Sequence, residues 1–245
     1  MSNMYGYTDY NGPADRKQPS DANDNEPSEE DHDDDDEVNP LQAGFWMAGD
    51  SLAPPCGTAV PTIHALLDFA QVNSKDILYD LGCGDARVCL EAYSNYGCQA
   101  VGVEVEVDLV ERAQQLISNL PDTADKEKNT LALLPRVIHQ DLRDLLDRLL
   151  NQLAENNQDG SRSADPAELP LPTIIVLYLL PESLHELQDK FVALLRLAPP
   201  PFRILCNTWG FSSLRAIKET EIAEGNGATS PMHLYTRASL VDKEA

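Results

Sequence analysis

The residues with the clearest capacity for chemistry lie in DILYDLGCGDARVCLEAYSNYGCQAVGVE, residues 76–104. Asp80 closes a short apolar run, Gly82, Cys83 and Gly84 follow at once, Asp85 comes next, and Glu104 stands 20 positions past Gly84. Two glycines this close let the backbone turn sharply and approach a ligand with no Cβ in the way. A carboxylate about 20 positions beyond such a turn can accept hydrogen bonds from ribose hydroxyls, provided the stretch folds as strand, turn, helix, strand. The pattern therefore points to a ligand that carries a nucleoside. A dinucleotide fingerprint needs a third glycine three residues after the second, where the helix packs on the strand; that position is Arg87, so the fingerprint fails. Cys83 within the turn is readable as a nucleophile or as a small turn residue, and the second reading is preferred.

The surrounding pattern supplies the elements that this site needs. Ile77, Leu78 and Tyr79 suit a buried parallel strand that stops at Asp80. Asp85 is placed to cap the next helix, whose Val88, Cys89, Ala92 and Tyr96 share a face, and Gly97 ends it. Ala100, Val101 and Val103 make the second strand, ending at Glu104. Upstream, Val60-Pro61-Thr62 opens a helix with Ile63, Leu66, Leu67 and Ala70 on its apolar face and a solvated His64. Downstream, Asp108 begins a helix that turns Leu109, Ala113, Leu116 and Ile117 inward; residues 121–130 are a polar loop; and residues 131–139 bring a third strand centred on Val137 and Ile138. Asp141 is placed to cap a helix with a leucine stripe at 142, 145, 146, 149, 150 and 153. Residues 154–172 read as an exposed insertion. A fourth strand over 173–180, a helix from Pro181 with Leu184, Leu187, Phe191, Leu194 and Leu195 inward, and a fifth strand over 202–206 follow. Residues 218–239 form a closing hairpin around Gly225-Asn226-Gly227. Alternating strands and helices predict an α/β fold with a mostly parallel sheet covered on both faces, and the ligand at the carboxyl ends of the strands.

Charge divides the chain in two. Its net charge is −23, and residues 1–40 carry 13 acids against 2 bases, −11 in a sixth of the length. An arm so poor in aliphatic residues cannot offset its ordering entropy, which predicts a disordered segment over 1–40 and a folded domain over 41–245. The arm reads as a solubilising tail or as a lure for a basic partner. Phe45, Trp46 and Met47 form an apolar cluster that either anchors the arm or covers the ligand, and Pro54-Pro55 breaks regular structure before the domain. No basic, apolar leader opens the chain and no run approaches the ~18 apolar residues of a membrane span. Five cysteines, Cys56, Cys83, Cys89, Cys98 and Cys206, show no CxxC spacing and read as reduced thiols of an intracellular, cytoplasmic protein with no metal site.

The unit Asp80-Leu-Gly82-Cys-Gly84 with Glu104 resembles the first two motifs of class I S-adenosylmethionine (AdoMet) methyltransferases. Three segments together, Val60-Pro61-Thr62, Tyr79-Asp-Leu-Gly-Cys-Gly-Asp-Ala-Arg87 and Val176-Leu-Tyr-Leu-Leu-Pro-Glu182, resemble the family that contains the ATP synthase c-subunit lysine N-methyltransferase and its small bacterial relatives. The resemblance spans roughly residues 55–210; the acidic arm and the insertion at 154–172 depart from it. It implies a seven-stranded, Rossmann-like sheet in the order 3-2-1-4-5-7-6 with an antiparallel C-terminal hairpin. It implies AdoMet as cofactor, held by Asp80, Gly82, Cys83, Gly84 and Asp85 at the turn, by Glu104 at the ribose and by Asp141 at the adenine amino group. Tyr178 and Glu182, just past the fourth strand, become the candidates for orienting an acceptor amine. The acceptor so implied is a protein lysine, on a substrate that is basic enough to suit the acidic chain, with no nucleic-acid partner. A mitochondrial location follows only from the family's human-type members. Two alternatives stay open on the sequence: a small-molecule methyltransferase on the same scaffold, and a non-catalytic interaction protein that uses its acidic arm.

Overall fold

The computed structural model describes residues 52, 57–120, 134–159, 169–223 and 229–240. The acidic arm, the Phe45-Trp46-Met47 cluster, Pro54-Pro55, Cys56, the polar loop at 121–130, the start of the third-strand segment and Gly225-Asn226-Gly227 lie outside the described residues. The elements run α1 (Val60–Phe69), β1 (Ile77–Leu81), α2 (Arg87–Tyr96), β2 (Gln99–Glu104), α3 (Val107–Ser118), β3 (Arg136–His139), α4 (Leu142–Asp159), β4 (Ile174–Leu177), α5 (Pro181–Leu197), β5 (Arg203–Asn207), β6 (Lys218–Ala223) and β7 (Thr229–Tyr235), then a 3-10 turn at Arg237–Leu240. The seven strands form one sheet in the order β3-β2-β1-β4-β5-β7-β6. The first five pair in parallel, and β7 is antiparallel to both β5 and β6. Strand order reverses between β1 and β4, which places the ligand crevice at their carboxyl ends.

Side chains alternate across each strand, and two cores result. Tyr79, Leu81, Val101, Val103, Ile175 and Leu177 face the leucine stripe of α4 and the Leu184, Leu187 and Phe191 side of α5. Leu78, Ala100, Ile174, Val176 and Leu205 face α1, α2 and Ala113 of α3. At the amino end of the sheet an ion pair ties three strands together. The Asp76 carboxylate, 4% exposed, accepts hydrogen bonds from both terminal nitrogens of Arg203 at 3.0 and 2.9 Å and from the Thr173 hydroxyl at 2.6 Å. Burial pushes the Asp76 pKa up, but Arg203, Thr173 and the Asn73 N–H together outweigh it and hold the group below the usual carboxylate range.

Several boundaries and faces differ from the expectation. β1 continues through Leu81, because its backbone stays in register with β2 as far as Val103. β4 ends at Leu177, three residues early. α4 runs on to Asp159, into the segment expected as an exposed insertion, and at the far end of that segment Leu169 is buried in the core and the Pro170 carbonyl accepts the Tyr79 hydroxyl at 2.8 Å. α3 buries Val110 and Ala113, while Leu109, Leu116 and Ile117 are half-exposed. The reason is position: α3 lies beside β3, the edge strand, where the sheet offers only a narrow strip to cover. His64 is not simply solvated; its Nε2 lies 2.7 Å from the buried Glu91 carboxylate and links α1 to α2.

Candidate functional site

Asp80 and Glu104 meet because of the two-residue period of a strand. Asp80 pairs in register with Gly102, and Glu104 lies two residues further along β2, so both carboxylates emerge on the face that carries α2. The turn after β1 folds back over β2: the N–H groups of Gly82 and Cys83 donate to the Val103 carbonyl at 2.9 and 3.1 Å. Gly82 has φ +84° and Gly84 φ +55°, conformations that side chains rarely adopt. A Cβ on Gly84 would meet nothing within 4 Å, so this part of the turn lies open on one side. Gly102 is needed for a different reason, since a Cβ there would lie 2.6 Å from the Cys83 sulfur. Cys83 thus fills the space that Gly102 leaves, and burial drives its thiol pKa well above the ordinary value. That is the environment of a packing residue, not of a thiolate nucleophile.

The Glu104 carboxylate is organised by backbone. One oxygen accepts the N–H groups of Val105 and Glu106 at 2.8 and 3.0 Å, and the other accepts the Gly84 N–H at 2.8 Å. The strand ends at Glu104, and Glu106 is the N-cap residue of α3, in the turn. A carboxylate offers about four lone-pair positions, so the oxygen facing Gly84 retains acceptor capacity toward the open side of the turn. Asp80 is different. It is 6% exposed and accepts no hydrogen bond from any described residue. Burial, then the charges of Glu104 and Asp85, raise its pKa to about 7. A buried carboxylate among like charges is costly unless it is protonated or a cation or hydrogen-bond donors reach it. Among the described residues no group of three His, Cys, Asp or Glu side chains is placed to hold a metal ion.

Asp85 does not cap α2. Ala86, in the left-handed conformation at φ 63°, stands at the N-cap, and no side chain caps the helix. Asp85 instead forms a bidentate pair with the buried Arg87, both contacts at 2.9 Å, because its charge finds a fixed guanidinium two residues on. Arg87 also donates to the Thr58 carbonyl at 3.2 Å, and the Ser183 hydroxyl at the start of α5 donates to the Leu52 carbonyl at 2.5 Å. Thr58 is therefore fastened beside the glycine turn and Leu52 beside the β4–α5 junction. In the sequence Arg87 marks a missing glycine and closes the Tyr79–Arg87 segment; the signal for its pairing role is the Asp-x-Arg spacing at a helix start.

Asp141 lies at the carboxyl end of β3, one residue before α4. One of its oxygens accepts the Arg143 N–H at 2.7 Å, as the expected cap, and the other pairs with the Arg143 guanidinium at 3.0 Å. Tyr178 follows β4 directly, and the Leu179 side chain next to it would lie 3.8 Å from a Cβ on Gly82, so the β4 loop touches the glycine turn. Tyr178 is half-buried and stacks on Trp209, centroids 5.9 Å apart. Glu182 is exposed in the first turn of α5. The structure thus gathers Asp80, Gly82, Gly84 and Glu104 at one turn, gives Cys83 and Asp85 supporting contacts, and sets Asp141, Tyr178 and Glu182 on the loops and first turn beyond β3 and β4.

No family model matches the chain. A protein-lysine N-methyltransferase of Saccharolobus islandicus is 35% identical over 68 residues, which are 27% of this chain and 40% of that protein; the match thus spans well under half of the curated relative. Among solved structures, an RNA methyltransferase from Salinibacter ruber in complex with S-adenosyl-L-homocysteine aligns with a TM-score of 0.52 at 22% identity, over 77% of this chain and 97% of that one. The C-terminal domain of precorrin-6Y C5,15-methyltransferase from Rhodobacter capsulatus aligns at 0.44 and 18% identity, over 75% and 91% of the two chains. With the strand order, the first of these establishes the class I methyltransferase fold for this chain.

Proposed function

We propose that this chain is an AdoMet-dependent methyltransferase whose acceptor is a protein lysine amine. One observation carries the cofactor assignment: a buried carboxylate, Asp80, accepts no hydrogen bond from any described residue and lies at an open glycine turn with Glu104. AdoMet fits each part. Its ammonium and sulfonium groups are cationic, which suits the cluster of Asp80 and Glu104, and its ribose offers hydroxyls to the Glu104 oxygen that faces Gly84. Asp141, beyond the edge strand, is the group assigned to the adenine amino group. When bound, AdoMet supplies an activated methyl group to a nucleophile in line with its leaving sulfur. The residues of the chain then contribute position and electrostatics. Asp80 and Glu104 hold charge and ribose, and Tyr178 and Glu182 orient the acceptor.

The acceptor assignment draws on the partial match to a protein-lysine methyltransferase and on charge. A net charge of −23 favours a cationic substrate and opposes a polyanion such as RNA. A lysine must be the neutral amine at the moment of attack, because the ammonium has no lone pair, and Glu182, exposed in the first turn of α5, is assigned with Tyr178 to orienting it. The test is transfer of labelled methyl from AdoMet into a whole-cell extract, resolved by size and followed by acid hydrolysis. Label in methyl-lysine of a discrete protein is expected. Label confined to small molecules would reject the lysine assignment, and no transfer to anything would reject the enzyme.

A further inference from the structure

The turn after β5 is constrained in a way that the cofactor site does not require. Thr208 adopts φ +66°, a region that a β-branched residue rarely enters. The conformation is held from several directions. The Thr208 N–H donates to the Pro231 carbonyl at 2.7 Å, the Trp209 N–H to the Asn207 carbonyl at 2.8 Å, and the Phe211 N–H to the Tyr235 hydroxyl at 3.0 Å. Gly210 completes it, since a Cβ there would run into the Tyr235 hydroxyl and lie 3.0 Å from the His233 ring. Strain of this kind persists where surrounding structure over-determines it, and it gathers at functional sites. Here it fixes Trp209, half-buried, against Tyr178 with ring planes 27° apart.

The location gives the stacked pair its meaning. β4 and β5 are adjacent and parallel, with Leu177 opposite Cys206, so Tyr178 and the Asn207–Trp209 turn leave the sheet side by side at its carboxyl end. Leu179 bridges from there to Gly82 of the glycine turn. The aromatic pair therefore borders the cofactor crevice on the side away from Glu104. We infer that Tyr178 and Trp209 form the aromatic wall of an acceptor subsite that takes an alkylammonium group, a lysine side chain and its methylated forms. This rests on the methyltransferase reading and names the chemistry of its second site. Aromatic faces attract cations, most strongly when the cation carries methyl groups and the site is shielded from water.

The test uses the full chain with Trp46→Phe, which leaves Trp209 as the reporter, since the protein has two tryptophans. Choline and 3,3-dimethyl-1-butanol are the probes, alike in shape but only the first cationic. Choline is expected to change Trp209 emission saturably, with the alcohol at least about tenfold weaker. Tyr178→Ala should weaken choline about three- to thirtyfold, the range spanned by loss of one cation–π partner, and Tyr178→Phe should keep it within about twofold. Equal responses to the two probes, no saturable response to choline, or no effect of Tyr178→Ala would overturn the proposal. Calorimetric titration of the same protein with AdoMet separates the two readings. Choline response without AdoMet binding retains the aromatic subsite and rejects the methyltransferase, whereas AdoMet binding without choline response rejects the subsite alone.

Discussion

Asp80→Asn should make the free protein more stable at neutral pH while it weakens AdoMet binding. The carboxyl rises from 3.8 to about 7 on folding, first through burial and then through Glu104 and Asp85. The folded state thus holds this proton more tightly than the unfolded chain does. Stability from this group is complete below about pH 4, falls as pH rises from there to about 7, and then levels off. A pKa raised from 3.8 to about 7, at about 1.4 kcal/mol for each tenfold change in proton affinity, puts the full cost of ionised Asp80 at up to about 4 kcal/mol. Asparagine keeps the shape and removes the charge. Urea unfolding of both proteins across pH 4–8 measures the effect. The depressed Asp76 has the opposite sign, its contribution being lost only below about pH 4, and it cancels in the comparison of the two proteins. The variant should match the parent near pH 4 and exceed it by an amount that grows to pH 7–8. AdoMet affinity of the parent should fall as pH drops through about 7, and that dependence should vanish in the variant. A pH-independent difference, or a variant less stable at pH 8, would refute the view of Asp80 as a buried charge that awaits a cation.

Further outcomes follow from the same contacts. Glu104→Gln should cost AdoMet affinity about 1.5–3 kcal/mol, roughly ten- to a hundredfold, because a charged acceptor is lost; Glu106→Gln, whose side chain belongs to the turn, should change it little, and calorimetry of the two variants side by side decides. Gly102→Ala should destabilise the fold by about 1–3 kcal/mol, since the new methyl meets the Cys83 sulfur at 2.6 Å; adding Cys83→Ala should recover part of the loss in urea melts. Arg203→Met should cost about 3–5 kcal/mol by leaving the Asp76 carboxylate buried and unpaired, with AdoMet affinity per folded molecule unchanged, because the pair lies at the opposite end of the sheet.

The alternation of strands and helices and the apolar faces of α1, α4 and α5 are legible in the sequence because each follows from a short-range period, whereas the strand order, which the structure has, was implied by the family resemblance. Alternation along β1 and β2 decides which side a carboxylate faces, and the apolar stripes of α1, α4 and α5 decide what they pack against. What was not legible depends on tertiary placement. The Asp85 carboxylate had two local options, a helix cap or a nearby guanidinium, and the left-handed Ala86 that favours the second has no sequence mark. The inward face of α3 was misjudged because periodicity does not reveal that β3 is an edge. Leu169 looked like part of a polar insertion because its burial comes from contacts distant in sequence. Trp209 lies just past the fifth strand expected over 202–206, and its stacking on Tyr178 needs β4 and β5 side by side.

Calorimetric titration of the full chain at pH 8 with AdoMet, and in parallel with NAD, tests most directly whether the glycine turn with Asp80 and Glu104 is an AdoMet site. Saturable binding of AdoMet at one site per chain with no heat from NAD is the predicted result. Binding of NAD with none of AdoMet would contradict it.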